Sequence, residues 1–246
     1  MGKTYFISDF HLGVPDYETS REREKRIVCW LDVIKKDAAA LYLLGDVFDF
    51  WFEYKTVVPK GYVRLLGKLA ELSDAGIEIH YFTGNHDMWV FDYLPEELNV
   101  SIHREPIVRD IGGKKFFIGH GDGLGPGDRG YKLIKKVFAS RLCQRLFAVI
   151  HPDIGIRIAQ YWSGKSRIAR DDKKFLGEEK EWLAVYAREI LKKEYFDFFI
   201  FGHRHLPLDI QLNGHSRYIN LGEWVNYNSY AVFDGEKLEL ISNFKF

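Results

Sequence analysis

The stretch FIFGHRH, residues 199–205, runs three large apolar residues into a glycine and then sets two histidines on either side of an arginine. The same grammar occurs four more times: TYFIS then DFH (4–11), LYLL then GDVFD (41–49), IHYFT then GNHD (79–87), and KFFI then GHGD (115–122). Continuous apolar runs of this length read as strands buried on both faces. Helical patterns over roughly 20–36 and 60–75, the second stopped by Gly76, separate the first three runs, so the chain opens β-α-β-α-β. In open α/β sheets ligands bind beyond the carboxyl ends of the strands. The five polar clusters are therefore expected along one edge.

After His205 the pattern changes to short strands with turn signals at LNGHS (212–216) and FDGEK (233–237), which predicts an antiparallel continuation. The expectation is an α/β fold, a two-sheet sandwich flanked by helices and forming a single domain over 1–246. A helical insert at about 123–194 interrupts it.

With 246 residues, 46% apolar and 28% charged, the chain can bury one substantial core. Thirty-five basic residues balance thirty-five acidic ones, so no global field steers it toward nucleic acid or anionic lipid, and any preference must be local. Cys29 and Cys143 belong to no C-x-x-C motif; a reduced compartment is expected, with each thiol acting as a small buried hydrophobe. The N-terminus lacks the pattern of a signal peptide, Phe6 breaks a myristoylation motif, and no uncharged run approaches the ~18 residues of a membrane span.

The clusters supply Asp9, His11, Asp46, Asn85, His86, His120, His203 and His205. Carboxylate, amide carbonyl and imidazole together suit Mn²⁺, Fe²⁺ or Zn²⁺, without the thiolates of structural zinc. Without His86 these make seven ligands, more than one ion takes, but they suit two ions ~3.5–4 Å apart sharing a carboxylate, the arrangement that activates water and clamps a phosphoryl group. Gly45, Gly84, Gly119 and Gly202 each precede such a cluster and let the backbone turn beside the metals. On an extended stretch His203 and His205 point to one side and can serve adjacent ions. A lone histidine at a strand end is more often a hydrogen-bonded structural residue; five clusters of ligand type are not explained that way. His80, His103, His151 and His215 stand outside the grammar and read as structural or exposed. GPGDRG (125–130) matches a dinucleotide fingerprint only in letters, since it does not turn directly out of the strand.

The series D-x-H, G-D-x-x-D, G-N-H-D, G-H-G-D, G-H-x-H resembles the calcineurin-like metallophosphoesterases over Asp9 to His205. The resemblance implies an αββα sandwich and two divalent metals, one held by Asp9, His11, Asp46 and His205, the other by Asp46, Asn85, His120 and His203. It further implies a water activated between the ions, catalytic roles for Asp46 as the bridge and His86 near the leaving group, and support from Asp49 and Asp87, for which a turn or cap role is the alternative. Phe50 stands where many relatives have Arg, and GNHD in place of GNHE argues against the protein Ser/Thr phosphatase branch.

Residues 129–174 hold twelve Lys or Arg against three acids. Among them run Ile134, Phe138, Leu142, Leu146 and Ile150, then Ile154, Ile158 and Trp162, a helical stripe with a basic flank that reads as a membrane-surface element, or alternatively as a face packed on the core. Lying between two ligand clusters, it can cover the site as a lid. This insert resembles that of the lipid A branch of the superfamily. That resemblance implies hydrolysis of the diphosphate of UDP-2,3-diacylglucosamine to UMP and 2,3-diacylglucosamine 1-phosphate, with Mn²⁺ preferred. Asp128, Ser166, Arg170 and Lys173 would then bind substrate together with Asn85 and His203. The expected partners are the lipid-linked nucleotide and, peripherally, the cytoplasmic face of the inner membrane; no nucleic acid is expected. Two other classes remain in view, a nuclease or soluble-nucleotide phosphoesterase using the same metals, and a scaffold that binds protein without catalysis.

Overall fold

Alternate residues of the first strand face two ways. In β1 (Lys3–Ile7) Tyr5 and Ile7 point to one core while Phe6 points to another, so this strand belongs to a sheet covered on both faces. The computed structural model describes residues 2–126, 129–169, 174–175 and 177–245, and of 129, 162 and 164–169 the backbone alone.

The first sheet continues with β2 (Ala38–Leu44), β3 (Glu78–Phe82) and β4 (Ser101–His103). These run parallel to β1, joined by the helices α1 (Tyr17–Ile34), α2 (Val63–Asp74) and α3 (Tyr93–Leu98). On the other side of β1 lie β10 (Tyr230–Phe233) and β11 (Leu238–Ile241), antiparallel, giving the order β11-β10-β1-β2-β3-β4. The second sheet has the order β5-β6-β7-β9-β8, from β5 (Ile107–Ile111), β6 (Lys114–Gly119), β7 (Phe198–Phe201), β8 (Pro207–Gln211) and β9 (Arg217–Leu221). The antiparallel continuation is there in β8–β9 and β10–β11, but the two hairpins serve different sheets.

Local signals fix the helices. Asp16 caps α1, its side chain accepting from the Thr19 amide at 2.8 Å, and Ile27, Trp30, Leu31 and Ile34 form the buried stripe at helical spacing. Between the sheets, Phe6, Tyr42, Phe82, Phe116, Ile118 and Ile200 interlock, with Phe6 and Phe116 stacked at 5.8 Å. Each such side chain contributes about 1.5–3 kcal/mol by leaving water. On the far face of the second sheet, α7 (Trp182–Leu191) buries Leu183, Ala184 and Ala187 against Phe199 and Phe201. Helices, sheet, sheet and helix make the αββα sandwich.

The insert itself is α4 (Arg129–Ala139), α5 (Arg141–Ala148) and α6 (Pro152–Ala169), whereas α7, though inside the expected 123–194, packs into the sandwich. The stripe from Ile134 to Ile150 does not run along one helix. Ser140 ends α4 and caps α5 by accepting from the Cys143 amide at 3.3 Å, which turns the chain. Neither cysteine is the buried hydrophobe expected. Cys29 lies off the buried stripe of α1 and is exposed, Cys143 is partly exposed on α5, and both are free thiols.

Candidate metal centre

The loops leaving β1, β2, β3, β6 and β7 converge, as the placement of their polar clusters required. Backbone hydrogen bonds tie them, Asp9 N to Gly45 O at 3.0 Å and His11 N to Asp46 O at 2.9 Å. Asp9, His11, Asp46, His203 and His205 all have positive φ, between 46° and 65°. A left-handed conformation costs an L-residue about 1–2 kcal/mol, so the scaffold holds these five side chains against strain.

Among the described residues three groups of potential ligand atoms result, the atoms of each within 4.8 Å of one another: Asp9, His11, Asp46 and His205; Asp46, His120 and His203; and His11, Asp49 and His86. Asp46 is shared by the first two. Its Oδ2 lies 3.4 Å from His120 Nε2 and 3.9 Å from His11 Nε2, while His205 Nε2 lies 3.0 Å from Asp9 Oδ1 and from His11 Nε2. His203 and His205 do join different groups, but the strand pleat does not direct them. Both are left-handed, in a tight loop with the Arg204 amide bonded to Gly202 O, so loop geometry aims each ring.

The donor set fits divalent cations. Asn85 Oδ1 and His203 Nδ1 are buried ligand-type atoms with no hydrogen-bond partner among the described residues, and Asp9 Oδ1 and His120 Nε2 meet only other ligand-type atoms, a costly arrangement unless a cation satisfies them. The ring of His120 is set from behind, since Nδ1 donates to Leu44 O at 2.6 Å and leaves Nε2 as the nitrogen turned inward. Space is conserved too. A Cβ on Gly202 would lie 2.6 Å from Asp9 Oδ2, and one on Gly84 2.6 Å from the Asp46 nitrogen. Gly119 differs from its expected role, because its missing Cβ makes room for Pro106 at 3.1 Å, not for the ligands.

The charges answer one another. Burial alone would raise the carboxyls of Asp9 and Asp46, but His205 and His11 beside Asp9, and His120 and His86 beside Asp46, hold both below the usual carboxylate range. Burial disfavours an imidazolium at His120, yet the Asp46 carboxylate outweighs it and raises the group to about 10. His203, buried next to His120, is pushed down to about 3. Positive charge is favoured where the carboxylates meet.

Carboxylates behind the ligands brace the loops. Asp87 accepts from the amides of Val47 at 2.8 Å and Gly84 at 2.7 Å and from the Tyr81 hydroxyl, locking the Asp46 loop to the Asn85 loop. Asp49 Oδ1 lies 3.6 Å from His11 Nδ1 and 3.4 Å from His86 Nδ1. Asp122, the acid of GHGD, accepts from the Tyr131 hydroxyl at 2.6 Å and pairs with Lys135 at 2.8 Å, both from α4. Sequence reasoning quoted Asp122 within its motif without giving it a role, and it missed Ser163. That α6 residue donates to Asp49 Oδ2 at 2.9 Å, with no local pattern to mark it. Aromatic contacts seat the insert on the rim. Phe147 packs at 4.7 Å from Trp89, 4.8 Å from Phe52 and 5.9 Å from Phe50, so Phe50 helps to support a helix of the insert. Of the expected substrate-binding residues, Asn85 and His203 are in the centre. Asp128, Arg170 and Lys173 lie outside the described residues, and Ser166 is on α6 with its side chain outside them. His80 and His103 pair with each other at 3.0 Å, away from the centre, and His151 and His215 are exposed.

A family model described as "Calcineurin-like phosphoesterase" matches residues 2–207. A UDP-2,3-diacylglucosamine hydrolase of Porphyromonas gingivalis is 42% identical over 98% of this chain and 97% of its own length. A UDP-2,3-diacylglucosamine hydrolase of Proteus mirabilis is 28% identical over 97% of this chain and 98% of its own. Among solved structures, an archaeal phosphodiesterase aligns over 98% of this chain and 99% of its own with TM-score 0.49 and 14% identity.

Proposed function

The chain belongs to the calcineurin-like phosphoesterase family, and from that premise we propose that it hydrolyses the diphosphate of UDP-2,3-diacylglucosamine, releasing UMP and 2,3-diacylglucosamine 1-phosphate, with Mn²⁺ as the working metal. The single observation that carries the substrate is the end-to-end likeness to hydrolases of that lipid, insert included. In this reading Asp9, His11, Asp46 and His205 hold one ion, and Asp46, Asn85, His120 and His203 hold the other. When bound, the pair of ions supplies an activated water and neutralises phosphoryl charge. The protein's own groups do the rest: His120 keeps Nε2 turned inward by donating to Leu44 O, and His86, ring-to-ring with His11 at 4.9 Å, stabilises charge beside the leaving group. Asp128, Ser166, Arg170 and Lys173, together with Asn85 and His203, grip the sugar and phosphates.

The insert supports a greasy substrate. Leu133, Ile134, Leu142, Leu146, Val149 and Ile154 are each at least half exposed, and Lys136, Arg141, Arg145 and Arg157 are exposed around them. Exposed apolar and basic side chains interleaved on the same helices suit acyl chains and anionic headgroups, each basic residue adding about 1 kcal/mol near an anionic surface. No helix among the described residues is long and apolar enough to cross a membrane. In this reading the protein works as a peripheral enzyme at the cytoplasmic face of the inner membrane. The test is UMP release from UDP-2,3-diacylglucosamine in mixed micelles. Turnover with Mn²⁺ and none after chelation is expected, and no UMP with Mn²⁺ present rejects the reading.

A further inference from the structure

Helix α6 sends one hydroxyl beneath the rim of the centre. Ser163 is 9% exposed, and its Oγ lies 2.9 Å from Asp49 Oδ2 and 3.3 Å from Nδ1 of His86. The same ring nitrogen is 3.0 Å from the backbone carbonyl of Asp49. A carbonyl only accepts, so the proton of that bond sits on Nδ1, and Nε2 is the nitrogen left to exchange a proton or meet charge. The serine proton is directed to the Asp49 carboxylate, which turns an oxygen lone pair toward the Nδ1 proton. Carbonyl, carboxylate and hydroxyl thus surround one edge of the imidazole, and two of the three belong to Asp49.

We propose that Ser163 is a positioning residue for His86: seated by Asp49, it fixes the ring's rotation and tautomer, so that docking of α6 on the sandwich completes the catalytic arrangement. The hydroxyl belongs to the insert while His86 belongs to the sandwich, and Phe147 packed on Trp89 and Gly155 packed beneath the Tyr54 hydroxyl hold the helices in register for the contact. Gly155 is the residue this register demands, because a Cβ there would lie 2.7 Å from that hydroxyl and 3.0 Å from the Phe147 ring. A misplaced general acid or charge-stabilising group of this kind costs up to about 100-fold in rate.

The inference rests on the hydrolase reading only for the role of His86, and two substrates separate the two claims. In the full chain loaded with Mn²⁺, Ser163→Ala is expected to lower kcat about 10- to 100-fold on both UDP-2,3-diacylglucosamine and bis(p-nitrophenyl) phosphate, with KM changed less than about threefold. Ser163→Thr recovers most of the loss. In a His86→Ala background Ser163→Ala adds almost nothing, as residues acting as a unit require. Independently of turnover, the ring ¹⁵N shifts of His86 in the Zn²⁺-loaded protein change between wild type and Ser163→Ala. A loss confined to KM for the lipid, a loss additive with that of His86→Ala, or an unchanged kcat on the diester overturns the proposal. If wild type hydrolyses the diester but releases no UMP, the substrate reading fails and the Ser163 comparison on the diester still decides this one.

Discussion

Asp87 accepts from the buried amides of Val47 and Gly84, in the loops that carry Asp46 and Asn85, and from the hydroxyl of Tyr81 on β3. Burial, followed by the neighbouring Asp46 charge, raises its carboxyl, while the Tyr81 hydroxyl, the Gly84 amide and His120 favour its ionised form. Replacing it by Ala strands at least three buried donors at about 1–3 kcal/mol each, and Asp87→Ala should cost about 3–5 kcal/mol in urea unfolding. A loss below about 1 kcal/mol would show that the loops do not depend on it. At this scale the ligands were legible because each one ends an apolar run, where a metal-type residue is conspicuous. Ser163 was not legible. Its neighbour in function, Asp49, is distant in sequence, and nothing in the local spacing marks a serine in an amphipathic helix as polar cargo. The five left-handed residues were equally hidden, since a sequence shows which residue stands at a position but not that folding forces it into strain.

Helices α4 to α6 look amphipathic on paper, but periodicity cannot say which apolar face meets the body. The coordinates divide it: Phe147 and Gly155 face the sandwich, whereas Leu142, Leu146 and Val149 face outward at 68%, 63% and 85% exposure. Changing those three to Ser should therefore leave unfolding stability within about 0.5 kcal/mol, as surface changes do, while weakening binding to vesicles containing anionic lipid. Sedimentation with phosphatidylglycerol vesicles measures this, and unchanged binding would assign the outward face another task. A second element-scale test concerns β3 and β4, where His80 and His103 share one N–H···N bond at 3.0 Å. Burial pushes both down, His103 to about 4. With folded values below the usual 6.5, neither ring affects stability at pH 7. As pH falls from 6.5 toward 4 the unfolded chain takes up protons the folded one refuses, and stability is lost. Melting curves should show His103→Gln losing less Tm than wild type across that window; parallel losses would remove the pair from the pH response.

Across the whole molecule, the β-α-β-α-β opening together with the short late strands was enough to foresee two sheets, and the strand-end position of the polar clusters put them on one edge. The partition of the late hairpins was not foreseeable. Short strands of β8 to β11 carry turn signals but no address, and only packing decides that β8–β9 extends the second sheet while β10–β11 flanks β1. The division of the insert was hidden for the same reason. Helix α7 follows α6 as one more helix with apolar residues, but its small residues Ala184 and Ala187 let it lie flat on Phe199 and Phe201.

That edge is where the account stands or falls, because it requires side chains from Asp9 to His205 to enclose two cations that share Asp46. Titrating the metal-free full chain with Mn²⁺ and following bound ions by electron paramagnetic resonance measures this directly. Two ions per chain with the spectrum of an exchange-coupled pair are predicted, falling to a single uncoupled ion in His203→Ala. One ion in wild type, or two without coupling, would contradict the shared centre.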